Sequence, residues 1–88
     1  MTKKKYAIYL GSRFLSGFYP NGYGDVFKFR RNDIIGPWTS IKNASSFLMS
    51  IRKQIRDEIK TGRWDEKETN NNKRIARNLK VKEWGGFY

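Results

Sequence analysis

The sequence predicts an α+β fold: a small antiparallel sheet of about three strands packed on one amphipathic helix, in the order β-β-α-β. Three observations carry it. Apolar residues alternate before Gly36, and after Ala44 they recur at helical spacing. Pro20-Asn21-Gly22 and Gly36-Pro37 mark turns where those patterns break. The 88 residues make a single small domain, 1–88.

In the first strand Tyr6, Ile8 and Leu10 point one way, and Lys5, Ala7 and Tyr9 the other. Gly11-Ser12 interrupts the alternation and Phe14-Leu15 resumes it, the mark of a bulge or a tight hairpin. A second strand over 26–30 sets Phe27 and Phe29 toward the core, with Val26, Lys28 and Arg30 on the other side. Ala44, Phe47, Leu48, Ile51, Ile55 and Ile59 then form the stripe of a helix. Gly62 fits its C′ position, and Lys60 suits the negative end of its dipole. The start is open between Thr39 or Ser40 and a later Ser50. Residues 63–72, with three successive asparagines, read as a mobile polar loop. Residues 73–84 fit either a helix or a strand, with a strand over 79–83 preferred, and 85–88 form a loose C-terminal tail. The expected core is Tyr6, Ile8, Leu10, Phe27, Phe29 and the helix residues Phe47, Leu48, Ile51, Ile55 and Ile59.

Lys and Arg number 19 against 8 Asp and Glu, a net charge of +11. So large a single-sign charge favours a polyanionic partner: nucleic acid, an anionic membrane or an acidic protein face. With no cysteine and no histidine, the chain has no disulfide framework, no thiolate nucleophile, no Cys/His zinc site and no Ser-His or Cys-His catalytic unit. No apolar run approaches the roughly 18 residues of a membrane span. The apolar stretch after Lys3-Lys4-Lys5 is too short for a signal peptide and Arg13 follows it. A cytoplasmic protein that needs no metal and no cofactor is the expectation.

Ile8-Tyr9-Leu10 and Gly22-Tyr23-Gly24 with Val26 copy parts of the two RNA-recognition-domain signatures. Asp25 stands where a stacking aromatic belongs, and a turn rather than a helix separates the segments, so the glycines read as turn residues. Asp33 with Glu58-Ile59-Lys60 has a metal-nuclease spacing, but Ile59 is needed by the helix stripe. Tyr6 to Gly11 resembles the opening of GIY-YIG nucleases without the leading glycine or the second tyrosine motif. No catalytic residue is assigned.

Single-strand binding needs cations for phosphate and aromatic platforms for bases. If the two strands pair as neighbours, Lys5, Tyr9, Lys28 and Arg30 share one sheet face, with Arg31 next in the chain. Arg52 and Arg56, four apart, put a basic edge on the helix. Both halves of the chain carry an excess of cations, which points to broad field-driven attraction more than to one focused site. The expectation is a non-catalytic protein that binds DNA or RNA and no membrane, since the helix's apolar stripe is needed by the core. The alternative is a protein-interaction module that docks on an acidic protein or a nucleoprotein complex, with Trp64 and Tyr23 as interface residues. The strand-turn-strand opening, then Trp38-Thr39 and the Ala44/Phe47 pair leading into a helix, resembles small β-hairpin-plus-helix accessory proteins of phages and prophages over residues 5–60. That resemblance implies a binding role in a mobile element and no particular chemistry.

Overall fold

The computed structural model describes residues 4–21 and 24–86. It is an α+β domain, as the periodicities require. The elements run β1 (Tyr6–Leu10), β2 (Arg13–Phe14), β3 (Gly17–Phe18), β4 (Phe27–Lys28), α1 (Ile41–Thr61), α2 (Glu66–Asn78) and β5 (Lys80–Glu83). Among the described residues the strands form two antiparallel sheets, one ordered β2-β1-β5 and one pairing β3 with β4.

The break at Gly11 is a tight hairpin. Leu10 pairs with Arg13, leaving Gly11 and Ser12 as the loop, and Gly11 takes the positive φ of 64° that such a turn asks of glycine. β1 is the central strand. Tyr6, Ile8 and Leu10 turn their backbone groups to one edge, where Tyr6 exchanges hydrogen bonds with Trp38 (2.7 and 2.9 Å) and the Ile8 carbonyl accepts from Leu15 N–H (2.7 Å). On the other edge β5 aligns Ile8 with Val81 and Tyr9 with Lys80.

α1 starts at the earlier of the two candidate positions. The Ser40 hydroxyl caps it by accepting from Asn43 N–H, and Gly62 closes it at φ 72° with its N–H donated to the Ile59 carbonyl. Ala44, Leu48, Ile51 and Ile55 are its buried stripe, and the last three belong to one core cluster with Ile8, Leu15, Phe27 and Leu79. Phe47 and Ile59 lie half-buried at the margins. Trp38 covers that margin, its ring 5.1 Å from the Phe47 ring. No helix among the described residues is long and apolar enough to cross a membrane.

Two expectations are corrected. The polar stretch 63–72 is not a loop throughout: from Glu66 it is the first half of α2. Asp65 caps that helix by accepting from Glu68 N–H at 2.7 Å, and Glu66 and Glu68 sit in the first turn, where the dipole favours acids. The asparagines suggested a turn because their propensity for helix is weak, yet Asn72 is buried within α2. The ambiguous stretch 73–84 is both things in succession, helix to Asn78 and strand from Lys80. Of the tail, Gly85 and Gly86 lie outside any helix or strand, and 87–88 are outside the described residues.

The second correction concerns 26–30. Only Phe27 and Lys28 are ladder residues, so strict alternation fails and Val26 is buried beside Phe27 while Phe29 is half-buried. Ser16 continues the pairing past the short ladder. Its N–H (2.8 Å) and its hydroxyl (3.1 Å) both donate to the Lys28 carbonyl, and the same hydroxyl accepts from Arg30 N–H. Gly17 permits this approach, since a Cβ there would lie 2.7 Å from the Tyr19 ring and 3.2 Å from the Lys28 Cβ.

Candidate functional site

The Ser16 bridge has a consequence for charge. It holds the chain after β4 against the segment after β2, so Phe29, Arg30 and Arg31 come to lie beside Arg13 and Phe14. Together with Ser12 these residues line a depression of about 490 Å³. Three arginines line it, and no acidic residue belongs to the lining. The Arg13 guanidinium carbon lies 6.0 Å from the centre of the Phe29 ring, at the outer limit of a cation–π contact. Phe14, also in the lining, meets Tyr9 edge-on, with ring centroids 6.2 Å apart. Tyr9 in turn carries a cation: Lys82 Nζ stands 5.3 Å from its ring and donates to the Gly11 carbonyl at 2.8 Å.

Sequence reasoning reached Arg30, Arg31 and Tyr9 and missed Arg13, which the β1–β2 hairpin delivers from far upstream in the chain. The expected face of Lys5, Tyr9, Lys28 and Arg30 does not form, because β1 and β4 belong to different sheets. The cations next to Tyr9 are Lys80 and Lys82 of β5 instead. Lys5 is exposed and bonds to Trp84 through its backbone carbonyl, and Lys28 is half-buried outside the lining of the depression.

Arg52 has a structural task. Its Nε donates to the Ala76 carbonyl and its Nη2 to the Leu79 carbonyl, both at 3.1 Å. It thus satisfies carbonyls at the end of α2 that have no intrahelical partner, with a cation where the dipole wants one. Arg52→Ala should lower stability by about 1–2 kcal/mol, read as a fall in Tm of roughly 4–8 °C per kcal/mol. Oligonucleotide affinity measured well below that Tm should not change. Arg56, one turn along, lies between α1 and α2 with Lys73 and Arg77.

The two alternative interface residues fare differently. Trp64 is half-buried and packs against the core, so it is not the exposed aromatic of a polar loop. Tyr23 lies outside the described residues. Three acids are held in local contacts: Glu58 pairs with Arg63 at 2.6 Å, Glu83 with Lys4 at 3.9 Å, and Asp33 accepts from Ile34 N–H. Asp33 and Glu58, the carboxylates of the nuclease spacing, thus each serve a local contact. Comparison of the chain with protein-family models, with curated proteins and with solved structures finds no match.

Proposed function

We propose that this protein binds nucleic acid without catalysing a reaction on it, and that the depression around Phe29 is the principal contact. The observation that supports this most strongly is the presence of Arg13, Arg30 and Arg31 in the lining of one hollow with Phe14 and Phe29 and with no acid. Guanidinium groups offer forked donors to phosphate oxygens and flat faces on which bases stack. Phe29 and, beside the hollow, Tyr9 supply aromatic surface of the kind single strands use. The net charge of +11 adds long-range attraction that speeds encounter.

A focused site and a diffuse field are separated by charge-matched variants. Replacing Arg13, Arg30 and Arg31 with Ala removes the same charge as replacing Lys42, Lys53 and Lys60, which are exposed and lie outside the depression. Fluorescence anisotropy with a labelled single strand should show a loss of about tenfold or more for the arginine set and a much smaller loss for the lysine set. Equal losses would mean that only net charge matters. A protein that binds no strand at low salt would return the protein-partner alternative to the front.

A further inference from the structure

The groove between α1 and α2 has a different chemistry from the arginine depression. Its floor is apolar where Ile55 and Ala76 are buried and Ile59 is half-buried, and Arg52 also lines it, its guanidinium bonded to the Ala76 and Leu79 carbonyls. Met49 stands at its side with 68% of its surface exposed, the most open large apolar side chain among the described residues. Its flanks are cationic, with Arg56 on α1 and Lys73 and Arg77 on α2, all three exposed and with no acid in the lining. The volume is about 610 Å³.

We propose that this groove is a docking site for an acidic amphipathic helix of a partner protein, lying between α1 and α2 with its apolar stripe on the floor and its carboxylates against the flanks. Helix-in-groove recognition needs these two parts, an apolar trough for anchor residues and a rim of matching charge. Methionine suits the role because its flexible thioether adapts to the side chains it meets. Two other occupants fit less well. A phosphodiester backbone would meet the cations but gain nothing from Met49, Ile55 and Ile59, and a concave apolar floor cannot wedge between bases. A second copy would bring one net charge of +11 against another, which repels. The proposal is independent of the nucleic-acid reading, because the two surfaces share no lining residue.

Methyl NMR tests it directly, since the chain has two methionines, Met1 and Met49. The probe is a peptide of about 14 residues, roughly four helical turns, with leucines on one helical face and glutamates elsewhere. An isomer with the same residues shuffled so that leucines ring the helix is the control. The facial peptide should shift the Met49 methyl signal saturably and bind about tenfold or more tightly than its isomer. The double variant Arg56→Glu, Arg77→Glu should weaken the facial peptide by a further factor of about ten or more. The shift in the unaltered protein needs no variant to be interpretable. Equal binding of the two peptides, or of neither, would overturn the proposal, as would an oligothymidine strand that shifts the Met49 methyl as strongly as the facial peptide. Loss of oligonucleotide binding on replacing Arg13, Arg30 and Arg31 leaves the peptide result untouched, so the two readings fail separately.

Discussion

Ile51→Ala should destabilise the domain by about 2–5 kcal/mol, a large share of the roughly 4–13 kcal/mol expected for a chain of this size. Ile51 is wholly buried at the centre of the α1 stripe, between Leu48 and Ile55, and belongs to the cluster that contains Ile8 and Leu79. Truncation removes apolar contacts and leaves a cavity that the surrounding structure closes only in part. Met49, two residues earlier, provides the internal control. It points to solvent, so Met49→Ala should change stability by no more than about 0.5 kcal/mol. Urea melts followed by circular dichroism measure both, and similar midpoints for the two variants would mean that α1 packs by another face.

Binding to a single strand should weaken about a hundredfold as salt rises from about 50 to about 200 mM. Each phosphate neutralised contributes about 0.7 to the slope of log K against log salt for single strands, and about five contacts give a slope near −3.5. Arg13, Arg30 and Arg31 are the nearest candidates, with Lys80 and Lys82 beside Tyr9 as the next. Stacking on an aromatic ring releases no counterions, so it adds affinity without steepening the slope. Because surface charges act on one another over about 8–10 Å at such salt, cations remote from the depression should contribute little to it.

Local signals in the sequence carried the parts of the fold that depend on neighbours. α1 was legible because its stripe and its Gly62 terminus lie in one stretch, while its start stayed open between Ser40 and Ser50 because both serines can cap. α2 was not, because Ile75 and Ala76 are its few apolar residues and polar ones fill the rest. The signal that would have found it is Asp65 followed at the right distance by Glu68, the capping pair of a helix start. The sheet order was illegible for another reason. β1 pairs with β5 from the far end of the chain, a choice set by the path through both helices rather than by either strand's own residues. The site divides the same way. Arg30 and Arg31 are neighbours in sequence and stood out together, whereas Arg13 joins them only through the Ser16 bridge. Arg52 looked like a phosphate ligand because charge is visible in a sequence and hydrogen bonds to distant carbonyls are not.

The decisive measurement is a salt titration of single-strand affinity, run in parallel on the unaltered protein and on the variant with Arg13, Arg30 and Arg31 all changed to Ala. If the depression around Phe29 is where phosphates are held, the variant's slope should be shallower by about two units, three contacts at about 0.7 each. Parallel lines, with the variant merely displaced or coincident, would place the phosphate contacts elsewhere on the molecule and contradict the assignment of this site.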